Sequence, residues 1–263
     1  MQSFGLLKSP PDVRDYIYTD VVERLTVPLP DTYLQWLSFV TPVEYQAHLG
    51  ACAAFSSSAV VELLNTKELK QPVNLSEQFI YNEAKKIDGA PDEEGTYLRA
   101  VLSVLKHVGV CEETLLPYES KYPPTQNAGM DAFTNAAKYK IKSYASVLPE
   151  LTQMKQAIIQ KGPLLTGINV YENFETIDEK GIAQSPNGEL KGQHAIPILG
   201  YDTTGFIVKN SWSIYWGKDG YCTIPYDVWP QITLGEVWSI TDATTPSRIG
   251  VLEYIKCFFR KRR

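Results

Sequence analysis

Cys52 stands in the stretch YQAHLGACAAFSSSAVVELL, residues 45–64, directly after Gly50-Ala51 and six positions after Gln46, and the chain from Ala53 to Val61 carries no charge. A free thiol titrates near ~8.5, and a helix N-terminus or a neighbouring imidazolium lowers that value by several units. First-turn N–H groups and the helix dipole both favour an anion there. Two readings follow: a thiolate poised at a helix start, or a small buried apolar residue, which most free cysteines are. A nucleophilic thiol also needs a base, and the chain offers three histidines. His107 flanks the apolar stripe of a helix and reads as structural, and His48 falls in a solvated loop. His194 opens the apolar run HAIPILGYD after the turn-rich SPNGELKGQ, so it reads as a strand-start residue where scaffold meets cleft.

A third group lies in FIVKNSWSIYWGKDGY, where a strand ends at Asn210 and Trp212 follows. An amide at a strand end orients an imidazole by accepting its N–H, and an indole beside that bond shields it from water. Taken singly, each signal also reads as ordinary structure: a core cysteine, a structural histidine, a turn asparagine with core tryptophans. Together and in this order, thiol, imidazole and amide make a set suited to acyl transfer through a covalent thioester.

These groups need elements to hold them. A helix is expected from Gly50 to about Asn65, with Ser56, Val60, Leu63 and Leu64 on one face. NLSEQFIYNEAKKIDG reads as a second helix, capped by Asn74 or Ser76 and stopped at Gly89. TYLRAVLSVLKHVGV reads as a third, with an apolar stripe of Leu98, Val101, Leu102, Leu105 and Val108, ended by Gly109. KYKIKSYASV alternates as a strand does. A helix over 148–161 and apolar strands at PLLTGINV, HAIPILGYD, GFIVKN and YCTIPY complete a mostly β half. A site between two such halves is expected, since clefts form where they pack.

Bulk properties agree with a globular chain of 263 residues, 44 % hydrophobic and 21 % charged, large enough for a core without disulfides. A net charge of −5 argues against a nucleic-acid surface. The four cysteines form no C-x-x-C pair and no cluster with histidine at metal-ligand spacing, so no metal or organic cofactor is expected. The opening MQSFGLLKSPPDVRDYIY lacks signal-peptide features, and no run is long and apolar enough to span a bilayer, which makes a cytoplasmic setting the default expectation.

From about Val40 to Ile240 the chain resembles the papain-like (C1) cysteine peptidases, of a prokaryotic or viral type with a short N-terminal leader. TPVEYQAHLGACAAFS looks like the family's segment of oxyanion glutamine and nucleophile. EGTYLRAVLSVLKHVGV with LPYE resembles its cleft wall and following helix, and GQHAIPILGYD and KNSWSIYWGKDGY its histidine and asparagine segments. His194 follows Cys52 within the family's own interval of roughly 130–150 residues. The resemblance implies an α+β, two-domain fold, a helical domain and a β-barrel-like domain with the active-site cleft between them. It implies domains at 1–40 (an arm or short prosegment), 41–130 (helical), 131–245 (β-rich) and 246–263 (a basic tail). It makes Cys52 the nucleophile, His194 the base and then acid, Asn210 the orienting residue, Gln46 with the Cys52 N–H the oxyanion hole, and Trp212 the cover of the Asn210–His194 bond. Gly95, Thr96, Tyr97, Gly167 and Gln193 would bind substrate. Leu49, Ala53 and Ala47 depart from the family's usual cysteine, tryptophan and glycine.

The implied activity is hydrolysis of peptide bonds in peptide or protein substrates by a monomer. An acyl transferase using the same thiol and an inactive peptide-binding module are the alternatives. Residues 1 to about 25 are expected either along the cleft, restraining activity, or as a strap on the β half. Glu236 reads either as a specificity-pocket residue favouring a basic side chain or as a surface glutamate. The tail IGVLEYIKCFFRKRR reads as a frayed basic end, or as a membrane contact with Cys257 a lipidation candidate.

Overall fold

A computed structural model describes residues 4–12, 15, 17, 18 and 28–242; the tail and Cys257 lie outside the described residues. The chain builds a helical layer first. Helix α1, Cys52–Leu69, is buried nearly all round as far as Asn65, not along a single face as its pattern suggests. A helix apolar or small on every side belongs in a core. Its three consecutive serines tolerate burial because each hydroxyl donates to the carbonyl three residues back, Ser56 to Ala53, Ser57 to Ala54 and Ser58 to Phe55, at 3.0–3.1 Å.

Helix α2, Glu77–Lys85, takes Ser76 as its N-cap, whose Oγ accepts from the Phe79 N–H at 3.0 Å. Helix α3, Leu98–His107, buries Leu98, Val101, Leu102 and Leu105 as the sequence periodicity predicts. A short helix α4, Met130–Ala136, leads into the sheet.

The sheet is six-stranded and antiparallel in the order β1-β6-β2-β3-β4-β5. Its strands are β1 Ile141–Ser146, β2 Leu164–Tyr171, β3 Leu190–Tyr201, β4 Gly205–Lys209, β5 Tyr221–Pro225 and β6 Thr233–Asp242. Helix α5, Leu151–Gln160, connects β1 to β2. Two sequence expectations change. β3 begins at Leu190, four residues before His194, because LKGQ extends as a polar arm paired with β2; His194 therefore sits inside the sheet opposite Ile168. β6, in TLGEVWSITD, has too many polar residues to read as a core strand, yet it holds the sheet's interior between β1 and β2.

The N-terminal arm does two things along its length. Residues 4–9 lie against the helical and sheet layers together, while Ile17 bridges Ser146 of β1 and Tyr18 donates to Gln160 of α5 at 2.6 Å. Among the described residues no helix is long and apolar enough to cross a membrane. Cys52, Cys111 and Cys222 are buried free thiols.

Candidate active site

The loop before α1 is tied to the segment after β4. Tyr45 bridges Trp212, and the Gln46 N–H donates to the Ser211 carbonyl at 2.9 Å. This pairing carries Gln46 to the side of Asn210. Ser211 Oγ then donates to Gln46 Oε1 at 2.6 Å, which turns the amide nitrogen the other way; one of its N–H groups reaches the Leu49 carbonyl at 3.1 Å. Ser211 carries no signal that the sequence reading used, yet it fixes the amide's orientation. Ala47, where the family usually has glycine, holds φ +52°, a left-handed conformation costly for a residue with a Cβ.

Cys52 opens α1, and Ala51 gives the helix no side-chain cap; the Ala54 and Phe55 N–H groups donate to the Ala51 carbonyl, which leaves those of Cys52 and Ala53 for what stands before them. The backbone N–H groups of Ala195, Gly5 of the arm, Ala53 and Cys52 itself lie where they favour a charged sulfur. The Ala195 contact sets Cys52 against the strand that carries His194. His194 Nε2 lies 2.8 Å from Asn210 Oδ1, which also accepts from the Ser211 N–H at 2.8 Å. That second bond marks Oδ1 as the acceptor, so Nε2 bears the proton and Nδ1 is the basic nitrogen of the neutral ring. Nδ1 is buried without a hydrogen-bond partner. The Trp212 ring lies 4.6 Å from the imidazole, centroid to centroid, and covers the Asn210–His194 bond.

All four groups are sealed: Cys52, His194 and Gln46 have no exposed surface and Asn210 has 3 %. Burial accordingly raises the Cys52 thiol above its ordinary range despite the backbone donors, and pulls His194 down to about 4 against the upward pull of Asn210. Of the two readings of Cys52, a poised thiolate would have a depressed thiol. The helix start is present, but dehydration outweighs it in this closed site. His48 and His107 are exposed, as their contexts suggest.

The seal is the arm. Thr96 N–H donates to the Gly5 carbonyl at 2.9 Å, Leu7 N–H to the Thr96 carbonyl at 3.0 Å, and Leu6 N–H to the Gln193 carbonyl at 3.3 Å. Leu6 is buried beside Gly167 and Leu234; a Cβ on Gly167 would stand 2.7 Å from Leu6 Cδ2 and would push the leucine aside. Gly95 backs onto the Gly5 carbonyl. Phe4 packs edge-on against Trp212. Four of the five expected substrate-binding residues therefore touch the arm. The hydroxyl of the fifth, Tyr97, donates instead to the Asp88 carbonyl. Farther along, Ser9 is bonded to the Glu236 carboxylate, which also accepts from Trp238 Nε1 at 2.9 Å, and Asp15 pairs with Arg99.

Behind Asn210, the carboxylates of Glu44, Glu62 and Glu77 gather closely enough to share a cation. Lys209 supplies an ammonium to that group, held on the Thr41 carbonyl at 3.1 Å while Thr41 Oγ1 donates to Glu62 at 2.5 Å. Burial, then repulsion from Glu44, raises Glu62 to about 7 and Glu77 well above the carboxylate range. Scattered over residues 44–209, the cluster has no sequence signature.

The profile of the papain family cysteine proteases matches residues 31–236. Cathepsin J of Mus musculus is 28 % identical over 215 residues, covering 78 % of this chain; the chain spans 63 % of that protein's length. An uncharacterized peptidase C1-like protein of Acanthamoeba polyphaga mimivirus is 25 % identical over 280 residues, covering 93 % of this chain and 88 % of the viral one. The crystal structure of xylellain, a cysteine protease from Xylella fastidiosa, superposes with a TM-score of 0.79 at 25 % identity, covering 91 % of this chain and 96 % of that one.

Proposed function

The chain belongs to the papain family of cysteine proteases, and we propose that it is a thiol endopeptidase held latent by its own N-terminal arm. The observation that carries the chemistry is the His194 Nε2–Asn210 Oδ1 pair beneath Trp212, on the strand against which Cys52 rests. In the reaction, His194 Nδ1 takes the thiol proton and the Cys52 sulfur attacks the peptide carbonyl carbon. The oxyanion is met by the Cys52 N–H and an N–H of Gln46, a donor worth about 10²–10³ in rate. The imidazolium then gives its proton to the departing amine. A water activated by the same nitrogen hydrolyses the thioester and restores the thiol.

Latency follows from chain polarity. If Gly167 and Thr96 receive the residues before the cut, a substrate's chain number rises towards Cys52 from that side. The arm instead runs from Phe4 at Trp212, past Gly5 at the sulfur, to Leu6 at Gly167, which is the reverse. The Gly5 N–H lies where it favours a charged sulfur while the Gly5 carbonyl accepts from Thr96, so no carbonyl is presented for attack. The buried, neutral thiol–imidazole pair is the resting form, and the ion pair develops when the arm leaves and water enters. A cleft running past the sulfur on both sides suits cutting within a chain rather than at an end.

Brief exposure of the full chain to an epoxysuccinyl peptide, followed by intact-mass and peptide mapping, tests this reading. Slow single labelling at Cys52, faster once Leu6→Ala loosens the arm and lost in His194→Ala, with hydrolysed rather than amine-capped peptide products, is the expected result. No labelling of Cys52 even after the arm has been destabilised would leave a groove that binds without chemistry, and would overturn it.

A further inference from the structure

Beside the catalytic groups, on the side of Trp212 away from the Leu6 pocket, lies an open depression of about 520 Å³. Its walls are Tyr45, Ile177, Trp212, Tyr215 and Trp216, with Glu175 as the charged group among the lining residues. Trp212 is shared with the catalytic groups, since its ring also covers His194. A peptide bound for attack at Cys52 hands its amine to His194, so the segment after the cut emerges here.

The depression is preformed. Ser213 takes φ +69°, a left-handed conformation a residue with a Cβ rarely adopts, and its Oγ accepts the Tyr215 N–H at 3.2 Å. This turn leaves Ile214 53 % and Tyr215 93 % exposed, the latter a large aromatic held out into solvent next to a cleft. The neighbouring wall is tied to the same loop by the Gly217 N–H to the Ile177 carbonyl at 3.2 Å and by Trp216 Nε1 to the Phe174 carbonyl at 3.0 Å. Lys191, the cation whose ammonium feels Glu175, is itself bonded to Glu189 at 3.3 Å.

Resting on the protease reading above, we propose that this depression selects an arginine among the first two residues after the cut. The guanidinium would pair with Glu175 and lay its plane on the tyrosine rings. Aromatic faces attract a cation through their quadrupole, and a planar guanidinium both stacks and bonds to a carboxylate, which an ammonium does less well. The occupant is a substrate segment because the depression shares Trp212 with the catalytic groups, and it is basic because the one charged group lining it is an acid.

The test uses internally quenched peptides with leucine fixed two residues before the cut and each of the two following positions varied, with cleavage read by mass. On the full chain with the arm loosened by Leu6→Ala, arginine is expected to exceed glutamate at one of those positions by about tenfold in kcat/KM. Glu175→Gln is expected to remove most of that ratio. Tyr215→Ala should lower it about threefold, and Tyr215→Phe should restore it. A ratio near one, or one indifferent to both variants, overturns the proposal. A coumarin amide, which has no peptide after the cut, separates this from a failure of the protease reading: if the chain with the arm loosened by Leu6→Ala does not hydrolyse it either, that reading falls and the pocket assignment falls with it.

Discussion

Leu6→Ala should open the site without touching any group that does the chemistry. The substitution removes three carbons from a side chain that is 4 % exposed and packed on Gly167 and Leu234. At ~0.8 kcal/mol per buried methylene, the closed arm loses roughly 2 kcal/mol. If opening and closing are fast relative to alkylation, the rate at which Cys52 reacts scales with the open fraction. Two kcal/mol then corresponds to about a 30-fold faster reaction. The second-order rate constant for labelling by an epoxysuccinyl peptide, read by intact mass, measures this directly. Lys8→Ala, on an exposed neighbour in the same arm, should stay within about twofold of the parent. A Leu6→Ala rate no faster than that of Lys8→Ala would refute the idea that this side chain holds the arm in place.

Three more outcomes are expected. In the closed state His194 is pulled down to about 4 by burial, so that state binds fewer protons than one in which the imidazole sees water. It therefore loses stability as pH falls through the window from about 6.5 to about 4. Intrinsic-rate-corrected hydrogen-exchange protection of residues 5–7 in Cys52→Ser should fall there, and the dependence assigned to the imidazole should vanish in His194→Phe. Glu62 is raised to about 7 and is protonated in the fold more readily than in the unfolded chain, so its contribution is fullest below about 4.5 and fades as pH rises through about 7. The Tm difference between pH 5 and pH 8 should shrink by a few degrees in Glu62→Gln. Ala47→Gly relieves a left-handed residue and should raise Tm by about 2–4 °C, measured by calorimetry, corresponding to about 1 kcal/mol.

Much of this architecture was legible because it is local. The stripe of α3 and the Ser76 cap follow from side chains a turn apart, and the structure places them where periodicity and capping chemistry do. The association of Cys52, His194, Asn210 and Gln46 became readable through order and family resemblance rather than through periodicity. What escaped depends on contacts across the chain. α1 looks amphipathic until one knows that its serine hydroxyls are satisfied internally and that layers cover every side of it. β6 is polar in sequence because Glu236 and Trp238 bond to each other, and Glu236 also to the arm. Neither the Ser211–Gln46 bond nor the Glu44–Glu62–Glu77–Lys209 group has a spacing rule, since each joins segments from opposite ends of the chain.

The arm also explains why a glycine stands at position 5. A Cβ there would collide with the Gly50 backbone at the mouth of α1, and Thr96 already claims the carbonyl on the other side. With no side chain, the backbone passes against Gly50 and brings its N–H to where it favours a charge on the sulfur. That close approach has two consequences for the chemistry. The sulfur faces a hydrogen-bond donor where attack requires an electrophilic carbon, and water is excluded from the thiol and the imidazole together. Exclusion matters as much as obstruction, because a charged pair forms only where both charges are solvated or otherwise compensated. Loosening the arm should therefore admit the probe and activate the nucleophile in a single step, since the residue that blocks the sulfur is also the one that keeps it dry.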